Sequence, residues 1–160
     1  TLSGGDGADT LSGGAGNDTF IFTSSTESQA TVSSDTIVVF DDITDFASES
    51  DKISLDQAGS IDFTSSASAS VTTATVANVA TFVDLEAAIE AVIGSLAASS
   101  SSNAKVYDVT LSGNGLAAAG VEHLVIVNDG DDALSTSDLM IELSGTSSNT
   151  ILSGDFVFTA

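Results

Sequence analysis

Large apolar residues divide this chain at three different periods. At the start they stand nine residues apart, with Leu2, Leu11 and Phe20 each following a threonine. One bulky side chain in nine is too sparse for a helix stripe or an alternating strand. It predicts very short strands joined by tight turns, the pattern of a repeat that stacks coil upon coil. Residues 22–34 are polar and rich in Ser and Thr, and predict a loop. From residue 35, "DTIVVFDDITDFASESDKISLD" alternates apolar runs with Asp clusters and predicts strand, turn and strand. Residues 60–78 carry little charge and hold a β-branched strand over Val71–Val76.

The period then changes to that of a helix. In residues 81–98, Phe82, Leu85, Ile89, Val92, Ile93 and Leu96 fall on one stripe, Thr81 and Asp84 form a capping-box pattern, and Asp84 and Glu86 sit where the N-terminal dipole favours acids. Such a stripe predicts a helix packed on a sheet. After a Ser-rich turn, "AKVYDVTL", "EHLVIVND" and "DLMIELSG" predict three antiparallel strands, and "TILSGDFVFTA" another short one. The expected fold is mainly β: a short parallel β-roll over residues 1–21, a β segment with Asp-rich turns over 22–80, and a β-rich C-terminal domain with one amphipathic helix over 81–160.

Charge changes the picture most. Twenty-three acidic residues face two basic ones, Lys52 and Lys105, for a net charge of −21. So much like charge opposes a compact state unless a cation binds. It also argues against nucleic acid, whose binding rests on Lys and Arg, and against anionic membranes. No apolar run reaches the roughly 18 residues of a membrane span, so no membrane insertion is expected. Hydrophobic content of 42% and a mean hydropathy of +0.32 argue against disorder. Without cysteine there are no disulfides and no thiolate metal sites, and without proline the turns fall to Gly, Ser and Asx residues.

Between the widely spaced apolar residues lies the candidate chemistry. Gly4-Gly5-Asp6-Gly7-Ala8-Asp9 and Gly13-Gly14-Ala15-Gly16-Asn17-Asp18 both read G-G-x-G-x-D, followed by x-U-x with U a large apolar residue. The glycines permit positive φ and a tight turn that points carbonyl oxygens inward, and the Asp adds a hard anionic oxygen. Ca²⁺ takes about 6–8 such oxygens. The candidate ligands are the backbone at Gly4, Gly7, Gly13, Ala15 and Gly16 and the carboxylates of Asp6, Asp9 and Asp18. A phosphate-binding glycine loop would want a basic residue, a flexible linker would not hold Asp and U in register, and an EF-hand needs a Glu at its twelfth position. Thr1-Leu2-Ser3 matches the end of a preceding repeat, so further repeats are expected upstream. Two nonapeptides make one coil, which places turns 4–9 and 13–18 on opposite edges. The partner of turn 4–9 would be residues 22–27, which lack glycine. The second half of each site is therefore expected from upstream repeats or from the segment downstream.

These nonapeptides resemble the calcium-binding repeat of the RTX (repeats-in-toxin) family, exported proteins with a parallel β-roll. Asp35-Thr36-Ile37-Val38-Val39-Phe40, Thr44-Asp45-Phe46 and Asp51-Lys52-Ile53-Ser54-Leu55 resemble the D-x-I-x-D-F…D-x-I-D-L signature that follows the repeats in serralysin-type proteases. The likeness implies Asp35, Asp45 and Asp51 as further calcium ligands, with Asp41 and Asp42 among the alternatives. The C-terminal half resembles the terminal domain of type I-secreted surface proteins and some S-layer proteins. Asp155-Phe156-Val157-Phe158 is similar to the uncleaved signal that such proteins present to their exporter. The resemblance implies a calcium-induced folding and export module of a secreted, extracellular or cell-surface protein, with Ca²⁺ as cofactor and the type I secretion machinery as partner. The alternative is a structural subunit or anchor of a calcium-dependent S-layer, sheath or adhesive filament, a homo-oligomer or lattice built through strand contacts. No catalytic constellation is visible: His123 reads as a strand residue, and neither H-E-x-x-H nor G-x-S-x-G occurs.

Overall fold

In the computed structural model, which describes residues 1–28, 31–33, 36–38, 40–79, 82–113, 123–131, 133–135, 137–144 and 150–159, the nine-residue spacing becomes coils of a roll. Leu2 pairs in parallel with Phe20, one two-repeat coil further on. β1 (Thr10–Leu11) lies on one side of the coil and β2 (Thr19–Phe22) on the other. The next coil repeats this order without the nonapeptide sequence. β5 (Asp41–Ile43) pairs in parallel with β1, and β6 (Lys52–Leu55) pairs in parallel with β2. Between them stand a 3-10 turn at Ser25–Glu27 and a hairpin of β3 (Thr31–Ser33) and β4 (Thr36–Val38). β7 (Gln57–Ala58) and β8 (Ile61–Asp62) form a second small hairpin.

The rest of the chain extends both sides of the roll. β13 (Phe156–Phe158), entered through a 3-10 turn at Ser153–Asp155, adds a parallel strand to β6 and completes a three-stranded sheet. On the other side, β12 (Leu139–Leu143) pairs in parallel with β5. β11 (His123–Val127) and β10 (Asn103–Ser112) then follow antiparallel, and β9 (Ser68–Ala77) closes the six-stranded sheet in parallel with β10. The architecture is mainly β, with the three antiparallel strands and the terminal strand where the sequence predicts them; the strand expected over Val71–Val76 runs longer, from Ser68 to Ala77, and residues 22–34, expected as loop, hold the 3-10 turn and β3.

The six-stranded sheet is covered on both faces, so its central strands are apolar without alternation. In β11, Val125 and Val127 point at the three-stranded sheet and its Phe20, Phe22, Ile53 and Leu55, while Leu124 and Ile126 point at α1 (Phe82–Ile93). The helix buries Leu85 and Ile89 fully. It ends earlier than the expected residue 98, because Gly94 takes φ +93 and stops it, with its N–H still bonded to Glu90 O at 2.8 Å. Leu96 is buried from the extended segment beyond. Val92 corrects the predicted stripe, since it is 55% exposed. Adjacent helical residues point about 100° apart, and the packing takes Ile93 instead. Thr81, the expected cap, and Asp35 lie outside the described residues. His123 opens β11 and pairs with Asp108 of β10, which also accepts the Ile151 N–H. Among the described residues no helix is long and apolar enough to cross a membrane.

Candidate cation site in the glycine turns

Each glycine of the repeat answers a local demand. Gly5 and Gly7 take φ +88 and +118, and Gly14 and Gly16 take +83 and +124, so the two turns share a conformation that L side chains rarely adopt. The first glycine is required by space. A Cβ on Gly4 would sit 2.7 Å from Asp9 Cβ and Oδ2, and one on Gly13 would sit 2.8 Å from Asp18 Cβ and Oδ2. The Asp ending each repeat therefore folds back over the glycine that begins it. Because β1 and β2 belong to different sheets, turns 4–9 and 13–18 occupy opposite edges of the roll.

Stacking the second coil on the first brings a new carboxylate to each edge. Thr10 is level with Asp42 and Thr19 with Lys52, so Asp41 lies beside Asp9 and Asp51 beside Asp18. Asp41 Oδ1 accepts the Asp9 N–H and Asp51 Oδ1 accepts the Asp18 N–H, both at 2.9 Å. Beyond this shared contact the edges differ. At turn 13–18, Asp45 Oδ1 accepts the Gly13 N–H at 2.9 Å, and its Oδ2 accepts the Gly14 N–H at 2.8 Å and the Ser12 hydroxyl at 2.7 Å. These bonds hold the Asp45 carboxyl below the ordinary range, the Ser12 hydroxyl contributing most. Asp51 Oδ2 accepts the Ala47 N–H at 2.9 Å, so both of its oxygens are occupied too. Gly13 and Asp18 are partly buried in this turn, whereas Ala15 and Gly16 are exposed at its tip.

At turn 4–9 the downstream carboxylate is left incomplete. Asp41 is fully buried, and its Oδ2 has no hydrogen-bond partner. That oxygen points at the Gly4 cradle, 3.0 Å from where a Cβ would stand, on the same spot that Asp9 Oδ2 approaches to 2.7 Å. Burial pushes Asp41 up to about 6, and the charges of Asp9 and Glu27 push the same way, partly offset by the bond from the Asp9 N–H. Its position is locked, because the Asp41 N–H donates to Ser28 Oγ at 2.7 Å, and Ser28 in turn is bonded to Met140 of β12. Residues 22–27 do approach this edge: Thr26 Oγ1 reaches Asp6 Oδ1 at 3.5 Å, while Glu27 is held by Thr23. Asp6 and Gly7 stay exposed.

This edge fits a hard cation: two carboxylate oxygens, one of them orphaned in the protein interior, converge on a cradle that any side chain would fill. Among the described residues no three of Asp, Glu, His and Cys come together at ligating distances, so backbone carbonyls would supply the other oxygens. The quoted post-repeat motif did not single out Asp41, yet the sequence held a signal for it. Asp41-Asp42-Ile43 repeats the D-x-U triplet of Asp9-Thr10-Leu11, Asp18-Thr19-Phe20 and Asp51-Lys52-Ile53, and all four U residues are buried.

Comparison with known proteins agrees with this geometry. A search of curated proteins finds no match to the chain. The family profile of the RTX calcium-binding nonapeptide repeat (4 copies) matches residues 1–22, the stretch holding Leu2, both glycine turns, β1 and β2. The chain thus carries RTX calcium-binding nonapeptide repeats at residues 1–22.

Proposed function

We propose that the chain is a calcium-induced folding and export module of a type I-secreted extracellular protein, and that its firmest cation position lies at turn 4–9 beside Asp41. The observation carrying this reading is the buried, unpartnered Asp41 Oδ2 against Asp9. A buried carboxylate oxygen without a donor is costly, and a cation is the partner that two adjacent anions require. Calcium would screen the repulsion between Asp41 and Asp9 there. Asp9 and Asp41 hold the ion from two successive coils, so binding ties strands β1 and β5 together. Without calcium the −21 charge keeps the chain loose, a state suited to a narrow export channel. Where calcium is abundant, occupancy stabilises the roll by about 2.7 kcal/mol per site at 100-fold excess over Kd. Asp6, Gly4 and Gly7 share this edge. Asp18, Gly13, Ala15 and Gly16 would need an ion on the other edge, where Asp45 and Asp51 already bond the backbone. The module is read as non-enzymatic.

Isothermal titration with Ca²⁺, using Mg²⁺ as control, tests the site. Asp41→Asn is expected to remove the tightest calcium-binding step, and unchanged binding in that variant would sink the assignment. Export is tested by fusing a reporter to the chain in a cell with a type I exporter. Loss of export on deleting residues 156–160 is expected, and undiminished export counts against the export role. A second reading, a subunit of a calcium-dependent surface lattice, draws on the edge positions of β9 and β13 in their sheets.

A further inference from the structure

β9 is an edge strand without the usual protections. It runs ten residues in continuous register with β10 and, among the described residues, pairs with no strand on its other side. Sheet edges are ordinarily blunted by charge, proline, a bulge or short length. Ser68–Ala77, "SASVTTATVA", has no charged residue, no proline, no glycine and no interruption of its ladder. The neutral stretch is longer than the strand: residues 63–83 contain no Asp, Glu, Lys, Arg or His, in a chain of net charge −21.

Hydrogen bonding shows which groups this edge presents. Ser68 N–H and Asn78 N–H both donate to the segment carrying β10, to Ser102 O and Ser112 O. In a parallel ladder alternate residues bond the same neighbour, so the even-numbered residues of β9 face β10. The N–H and C=O groups of Ala69, Val71, Thr73, Thr75 and Ala77 therefore point away from the sheet. Each face of the strand is partly covered, Ala74 and Val76 being buried on the helix side and Ala69 and Val71 packed toward the three-stranded sheet. Thr72, Thr73, Thr75 and Ala77 are exposed.

We propose that β9 joins two copies of this chain, edge to edge and antiparallel, about a twofold axis through Thr73. The proposal deepens the lattice-subunit reading above and rests on it for its setting. A second copy is the occupant that the charge pattern admits here, because an uncharged edge offers a charged partner nothing to pair with and is where two bodies of −21 repel each other least. The register is self-complementary. With Thr73 opposite Thr73, Val71 meets Thr75 and Ala69 meets Ala77, so all five outward residues of each strand are paired and two sheets of six become one of twelve. Side chains on the joined edge are small or β-branched, which suits cross-strand packing. Remaining repulsion between the acidic bodies makes the association stronger as salt or calcium rises, whereas a cationic partner strand would be released by salt.

The cysteine-free chain permits a direct test. In an antiparallel hydrogen-bonded pair the Cα atoms stand about 5.5 Å apart, within disulfide range. Under mild oxidation in calcium and high salt, Thr73→Cys is expected to form a disulfide dimer at least about tenfold faster than Ser65→Cys, an exposed site off the strand, because pairing holds the two thiols together. Sedimentation of the unmodified full chain is expected to show a dimer that grows with salt and falls about tenfold in Thr73→Lys and Thr75→Lys, with circular dichroism confirming their folding. A dimer unaffected by both lysines overturns the β9 contact and leaves the lattice reading to another edge such as β13. A chain that stays monomeric at all salt and calcium concentrations overturns both.

Discussion

The two glycine turns share their backbone angles and end in an Asp in the same position, yet they are completed by different means. At residues 13–18 the second coil lays Asp45 and Asp51 over the turn, and four backbone N–H groups plus Ser12 use all four of their oxygens. At residues 4–9 it lays down Asp41 alone, with one oxygen bonded and the other buried without a donor. The first arrangement closes a turn with protein groups, and the second leaves a buried acceptor without a protein donor, where we propose the cation. One repeat sequence thus forms a turn whose facing carboxylates are fully satisfied or one that faces an unsatisfied oxygen, depending on what the next coil brings to it.

Four measurements break or sharpen this contrast. The largest effect is expected from Asp51→Ala, which strips buried acceptors from the Asp18 and Ala47 N–H groups. It should lower unfolding free energy by about 3 kcal/mol whether or not calcium is present, since the groups it satisfies are backbone. Chemical denaturation in EDTA and in calcium measures both values, and a loss confined to calcium would mean that Asp51 is a ligand. Asp41→Asn should act with the opposite sign. Removing an unpaired buried charge raises stability in EDTA by about 1 kcal/mol, while the calcium-dependent gain of about 2.7 kcal/mol disappears. If the variant is weaker in EDTA, the orphaned oxygen is not a liability and the contrast fails.

Gly7→Ala and Gly16→Ala should each cost about 2 kcal/mol and by similar amounts, because both residues hold the same positive-φ conformation. A large inequality in calcium-free thermal melts would show that only one turn is ordered without the ion. The smallest effect concerns pH. Glu142 lies level with Asp42 on the Asp41 side of the roll, and burial, with Asp42 adding, raises it from 4.5 to about 7. The folded state then holds a proton that the unfolded state releases, so the contribution of Glu142 is most favourable below pH 4.5 and is lost as pH rises through about 7. Glu142→Gln should flatten that decline by about 1 kcal/mol. A residual slope is expected from Asp138, which burial raises to about 7 in the loop before β12, and from Asp41, raised to about 6. A slope identical to wild type would remove Glu142 as its source.

Local chemistry wrote much of this molecule in plain view. The nine-residue period, the glycines at positions demanding positive φ or lacking room for a Cβ, the β-branched run of β9, the three antiparallel strands and the helix with its Leu85–Ile89 stripe all follow from rules acting over a few residues. So does the strong negative charge and its need for a cation. What pairs across the fold was hidden. Asp45 and Asp51 look like ligands in the string, and only stacking on turn 13–18 shows their oxygens bonded to the backbone. Asp41 looks like one of several turn acids until β5 docks on β1 and Ser28 fixes it, leaving an oxygen facing Gly4. Val92 belongs to the stripe by spacing, and packing left it in solvent. Sequence by itself determined the turns, strands and charge because these depend on each residue's own backbone and ionisation. Which carboxylate is satisfied and which keeps an oxygen without a donor was decided by tertiary structure, since the donors that settle it lie about thirty residues away in the chain.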